Sequence, residues 1–196
     1  MERRINYITK HLADSISVKQ NLIENYSILN TICEIVSLQV SALQSGKKIM
    51  FVGNGGSAAD AQHLSTEYVS RLKKNREPLA SVALSTDTSA ITAIGNDYGF
   101  EQLFARQVKA LGNPGDVLVG ISTSGNSKNV CKAFEVAREM GIHVVGFLGA
   151  SPGLCEGIID LGIHVPSADT AHIQEAHITI GHIICGLVEK EIYFCD

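Results

Sequence analysis

An α/β fold, with a five-stranded parallel sheet covered by helices on both faces, is what this sequence predicts. Three observations point there. Five short, nearly continuous apolar runs recur along the chain, helical stretches separate them, and each run gives way to a polar or glycine-bearing turn. The 196 residues are enough to bury one sizeable core and suit a single domain, 1–196, better than two.

Residues 1–45 read as an N-terminal helical extension. Between Ile5 and Leu43 the apolar residues Leu22, Ile28, Leu29, Ile32, Ile35, Val36, Val40 and Leu43 recur at helical spacing, in one or two amphipathic helices that Gln44-Ser45-Gly46 ends. Residues 46–196 read as the α/β core with its C-terminal helix. Strands are predicted over 48–53, 79–85, 116–122, 143–149 and 161–166, and helices over 58–72, 88–94, 100–111, 127–140 and 170–193. Ligands of such sheets bind beyond the carboxyl ends of the strands. No linker, low-complexity tract or internal repeat interrupts the pattern.

Composition narrows the classes of function. A hydrophobic content of 45% is ordinary for a globular protein, and no uninterrupted apolar run approaches the roughly 18 residues of a membrane helix. Two arginines near the N-terminus have no apolar segment behind them, so a cytoplasmic protein away from membranes is expected. The five cysteines, Cys33, Cys131, Cys155, Cys185 and Cys195, are odd in number and form no C-x-x-C pair, which predicts reduced thiols. A net charge of −4 argues against a nucleic-acid partner.

Two loops fall on the same predicted rim. Gly53-Asn54-Gly55-Gly56-Ser57 follows the first strand, and Ile121-Ser122-Thr123-Ser124-Gly125-Asn126-Ser127 follows the third. A loop with little side chain lets peptide N–H groups approach an anion, and a helix N-terminus adds partial positive charge. Hydroxyls beside those groups can satisfy phosphate oxygens without a cation. The ordinary alternative is that these residues only make turns and helix caps. Neither G-x-x-x-x-G-K-[ST] nor G-x-G-x-x-G is present, which favours a small phosphorylated compound over a nucleotide.

The helix after the first loop places His63 and Glu67 four residues apart on one face. On the last helix, Gln174 and His182 are eight residues apart, about 80° around the axis. An imidazole with a carboxylate suits proton transfer near neutral pH, and the four groups together are also a plausible metal-ligand set. A lone histidine in the apolar stretch TIGHIICGLV is otherwise a core residue.

The stretches VGNGGSAADAQH, ITAIGNDYGFEQLFARQV, GDVLVGISTSGNSKNV and IQEAHITIGHI, spanning nearly the whole chain, resemble the phosphoheptose isomerase family of the sugar isomerase (SIS) domain superfamily. The resemblance implies a single SIS domain and a homotetramer acting on a phosphosugar. It implies that Asn54, Gly55, Gly56 and Ser57 line the substrate site, that Asn96 and Asp97 contact the sugar, and that Ser122, Thr123, Ser124 and Ser127 hold its phosphate. Glu67 and His182 match the proton-transfer pair, and His63, Glu67, Gln174 and His182 match the positions that bind Zn²⁺, with Gln174 also beside the substrate. The implied reaction converts sedoheptulose 7-phosphate to D-glycero-D-manno-heptose 7-phosphate through a cis-enediol, the first step toward activated heptose for lipopolysaccharide core or capsule. Where the family usually has arginine, this chain has His172; Arg71 and Arg106 remain as cationic candidates. The alternative is a non-catalytic SIS-domain regulator that senses a phosphosugar or binds a replication-initiation protein. Such a protein would have less need of His63, Glu67, Gln174 and His182.

Overall fold

The computed structural model describes residues 1–151 and 153–194, so Cys195 lies outside the described residues. The N-terminal extension is two helices, α1 (Glu2–Glu24) and α2 (Tyr26–Gln44). They part at Asn25, whose side-chain oxygen accepts a hydrogen bond from Ile28 N–H at 3.2 Å and caps α2. α1 buries only Ser15, Val18 and Leu22. Among the described residues α2 alone has the length and hydropathy of a membrane span, 19 residues at a mean hydropathy of 1.3. Counting uninterrupted apolar runs overlooks that property. Its Ile28, Ile32, Ile35, Val36 and Ala42 lie in the core of this fold.

The strands are β1 (Ile49–Gly53), β2 (Ser81–Ala83), β3 (Val117–Ser122), β4 (His143–Gly149) and β5 (Leu161–Val165). They form one sheet in the order β2-β1-β3-β4-β5, and every pairing is parallel. The chain winds outward from β1 to β2 and in the opposite sense from β3 to β5, so the winding reverses between β1 and β3. Such a switch point opens a crevice at the carboxyl ends of the strands. β2 is shorter than expected because, at the edge, it pairs only with Ile49, Met50 and Phe51 of β1.

Alternating strand residues feed two cores. Ile49, Phe51, Val117, Val119, Ile121, Val145, Phe147, Ile163 and Val165 pack with α1, α2, α3 (Gly56–Val69) and α7 (Thr170–Tyr193). Met50, Val52, Leu118, Val144 and Leu148 pack on the other face with α5 (Leu103–Leu111) and α6 (Lys128–Glu139). α4 (Thr88–Tyr98) buries none of its residues. The predicted helix over 100–111 divides into a 3₁₀ turn, Phe100–Gln102, and α5.

His177 of α7 is fully buried, with Nε2 3.0 Å from the Leu148 carbonyl oxygen and its ring 5.8 Å from that of Phe147. Burial pushes its pKa down from 6.5 to about 4, against the hydrogen bond to Leu148. Between those values the unfolded chain binds more protons than the folded one. The stabilisation is therefore complete above pH 6.5 and is lost as pH falls toward about 4. Acidification across this window should cost the wild type up to about 3 kcal/mol more stability, read from urea unfolding, than it costs His177→Gln; equal losses would show that the buried imidazole is not the source.

Candidate active site at the sheet switch point

Register sets Gly53 at the end of β1 opposite Ile121 near the end of β3, bringing the two predicted loops side by side. Gly55 has φ +55°, and a Cβ on Gly53 would stand 2.5 Å from the Ser57 carbonyl oxygen, so this turn depends on both glycines. α3 begins here and α6 begins after Ser127, and neither has a side-chain cap. By contrast Asn25, Asp87 and Asp169 cap α2, α4 and α7. Ser57 N–H donates to the Asn54 carbonyl at 3.0 Å and Val130 N–H to the Ser127 carbonyl at 2.9 Å, so backbone turns rather than side chains close these two helix starts, and a helix N-terminus of this kind can receive an anion.

The loops are joined by a reciprocal pair of amides. Asn54 Nδ2 donates to Asn129 Oδ1 at 2.8 Å, and Asn129 Nδ2 donates to Asn54 Oδ1 at 2.9 Å. Asn129 is buried in the first turn of α6 and was not singled out in the sequence. Ser122 Oγ donates to Ser127 Oγ at 3.0 Å, while Ser124 Oγ accepts from Asn126 N–H at 3.2 Å. Ser57 and Ser122 are buried, Thr123 and Ser127 are half-buried, and Ser124 is exposed.

The loop after β4 braces the serine loop. Cys155 N–H donates to the Gly125 carbonyl at 2.9 Å, and Cys131 and Cys155 are joined as a disulfide with Cα atoms 5.1 Å apart. This corrects the expectation of reduced thiols for those two residues. Their 24-residue separation resembles no sequence motif; α6 and the loop after β4 bring them together. Cys33 and Cys185 are free thiols, the first exposed and the second buried.

A second group lies along α3 and α7. His63 Nε2 is 2.8 Å from His182 Nε2 and 3.3 Å from Glu67 Oε1. Each contributes one ligand atom to a cluster within 4.8 Å, a set that can exchange protons or hold a metal ion. Close approach makes the cluster possible, since a Cβ on Gly181 would stand 2.5 Å from Leu64 Cδ2. Asp60, one turn before His63, has a buried, unpartnered Oδ2. Desolvation raises its pKa, and the charge of His63 opposes that rise.

The remaining candidates are more dispersed. The Gln174 amide packs on Gly56, where a Cβ would meet its Nε2 at 2.7 Å, at the glycine-loop end of α7. Asn96 and Asp97 are exposed at the end of α4, joined to each other by a 2.7 Å hydrogen bond and to no other candidate among the described residues. Arg71 is exposed, and Arg106 stacks 3.6 Å over the Tyr98 ring.

Beyond α3, Arg76 forms a buried ion pair with Glu189 of α7, Nε to Oε2 at 3.1 Å. Arg76 Nη2 also donates to the Glu67 carbonyl at 2.6 Å, and Nη1 donates to the Tyr68 carbonyl at 2.7 Å. Burial works against the Glu189 charge, but the N–H groups of Leu72, Lys73 and Lys74, together with Arg76, hold its pKa below the usual range. Neither residue belonged to a sequence motif. A Gly181→Ala substitution should push α7 away from Leu64, lower stability by about 1–3 kcal/mol in denaturant melts and lengthen the His63–His182 contact in a crystal structure. Wild-type stability would contradict this account of the packing.

The SIS domain family model matches residues 13–149. Phosphoheptose isomerase 2 of Campylobacter jejuni subsp. jejuni serotype O:2 is 53% identical over 194 residues, covering 98% of this chain and 96% of the relative. Phosphoheptose isomerase of Aneurinibacillus thermoaerophilus is 50% identical over 188 residues, covering 96% and 95%. The solved structure of a phosphoheptose isomerase from Neisseria gonorrhoeae matches with a TM-score of 0.89 at 43% identity, covering 94% of this chain and 98% of that one. A switch-point crevice with two uncapped helix N-termini, carried on a chain this similar, belongs to a known group: the protein is a member of the SIS domain family, within the phosphoheptose isomerases.

Proposed function

We propose that the chain isomerises D-sedoheptulose 7-phosphate to D-glycero-D-manno-heptose 7-phosphate. The observation that carries this reading is the His63–Glu67–His182 cluster on α3 and α7, in a chain 53% identical to a phosphoheptose isomerase. The N-termini of α3 and α6, with Ser122, Thr123, Ser124 and Ser127, receive the phosphate. Asn54, Gly55, Gly56, Ser57 and Gln174 line the path from that end toward the reacting carbons, and Asn96 and Asp97 contact the sugar. The anchored phosphate holds the other end of the chain against the acid and base, so binding energy is converted into orientation.

Ketose-to-aldose conversion removes a proton from C1, passes through a cis-enediol and returns a proton to C2, while a proton moves between the two oxygens. Glu67 is the base at carbon, and His182 is the acid that serves the oxygens or opens the ring. His63 touches both, 3.3 Å from Glu67 Oε1 and 2.8 Å from His182 Nε2, and keeps their protons in one network. The cluster also fits a metal: His63, Glu67 and His182 would hold Zn²⁺, with Gln174 as the fourth candidate ligand. Bound there, the ion would polarise the sugar oxygens, and a carboxylate committed to it is a weaker base.

A homotetramer accords with α4, which buries none of its residues, and with exposed Ile5, Ile8, Leu12 and Ile16 on α1. The cytoplasm accords with a charged sugar phosphate as substrate. The product would supply activated heptose for a surface polysaccharide, lipopolysaccharide core or capsule.

The deciding experiment follows sedoheptulose 7-phosphate by NMR with purified protein, with and without a chelator. Formation of the aldose phosphate is the expected result. Binding without conversion by folded, metal-supplied protein would favour a regulator. Glu67→Gln and His182→Ala should each lower kcat by about 10²–10⁴-fold while phosphosugar binding persists; full turnover in either would refute its assigned role.

A further inference from the structure

A second cluster of ligating side chains stands apart from the His63 group, where α1 crosses α7. His11 of α1 meets His172 and Glu175 of α7, with one ligand atom from each lying within 4.8 Å of the others. The two imidazole rings are 4.4 Å apart between centroids, tilted by 42°. His172 is 5% exposed, and its Nδ1 has no hydrogen-bond partner. That nitrogen faces Glu175 Oε2 at 3.6 Å, too far for a hydrogen bond. His11 and Glu175 are half-buried, leaving the cluster reachable from solvent.

We propose that His11, His172 and Glu175 form a second divalent-cation site that fastens α1 to α7. Two imidazoles and one carboxylate suit Zn²⁺, Co²⁺ or Ni²⁺ better than Mg²⁺ or Ca²⁺, which favour sets made only of oxygens. Three protein ligands leave room for water. A bound cation would give His172 Nδ1 a direct partner, where Glu175 Oε2 at 3.6 Å makes no hydrogen bond to it. Ser15 Oγ donates to Glu175 Oε2, the oxygen that faces His172, and orients the carboxylate, as outer partners of metal ligands do. Lys19 Nζ, 3.8 Å from the same oxygen, is the competing cation; its side chain is 40% exposed and can turn into solvent. Within one chain α1 buries only three residues, Ser15, Val18 and Leu22, so a cation held here would add a tie between α1 and α7 that does not depend on neighbouring subunits. The inference does not depend on the proposed isomerase activity.

The test uses the full chain, stripped with a chelator and titrated with Zn²⁺ and Co²⁺ by calorimetry and by the visible bands of Co²⁺. A His63→Ala/His182→Ala variant, which lacks the first cluster, should still bind one equivalent. In that background Co²⁺ or Zn²⁺ at a hundred times Kd should raise the thermal midpoint by about 5–10 °C. Adding His11→Ala or His172→Leu should abolish both the equivalent and the shift. No binding by the double variant, or binding that survives both additions, overturns the proposal. His11 is half-buried, so its replacement keeps the test decisive if the His172 variant fails to fold.

Discussion

The buried ion pair between Arg76 and Glu189 decides where α3 ends relative to α7, and the His63–Glu67–His182 cluster depends on that placement. Their side chains are only 2% and 4% exposed. Burying two charges is costly, and the pair is tolerated because its groups are satisfied: Glu189 accepts from three backbone N–H groups, and Arg76 donates to the carbonyls of Glu67, Tyr68 and Glu77. The guanidinium reads the backbone of Glu67 directly, so the residue assigned as base is positioned by the same group that anchors the helix carrying His182.

α7 meets α3 and the segment that follows it in three places, the two helices running in the same direction. Gly56 admits the Gln174 amide at one end, Gly181 admits Leu64 in the middle, and Glu189 receives Arg76 at the other. Small residues therefore set the separation at which His63 and His182 can touch. The phosphate end is arranged differently, by backbone: two helices begin without side-chain caps where β1 and β3 end together. The proposed phosphate end and the proposed proton-transfer cluster thus occupy separate parts of one crevice.

Much of this was legible in the sequence because it is periodic or local. Apolar runs located all five strands, and the last helix, 170–193, has the predicted bounds. Spacing of four put His63 and Glu67 on one face, and loop composition marked both helix N-termini. The rest depends on long-range meetings that no periodicity records. Asn129 matters through Asn54, 75 residues away, and Glu189 through Arg76, 113 residues away. The Cys131–Cys155 bond could not be inferred from cysteine spacing. Neither could the position of Gln174 against Gly56 be read from its spacing to His182. α3 ends at Val69, short of the predicted 72, because residues beyond it turn to give Glu189 their backbone N–H groups.

The reciprocal amides of Asn54 and Asn129 bear on how tightly a ligand can be held. Each side chain uses one N–H and one carbonyl lone pair on its partner, leaving capacity for a ligand while fixing the two loops relative to each other. The configurational entropy of those loops is therefore surrendered as the chain folds, before any phosphosugar arrives. Association then begins from a receptor already in shape, and more of the interaction free energy appears as affinity.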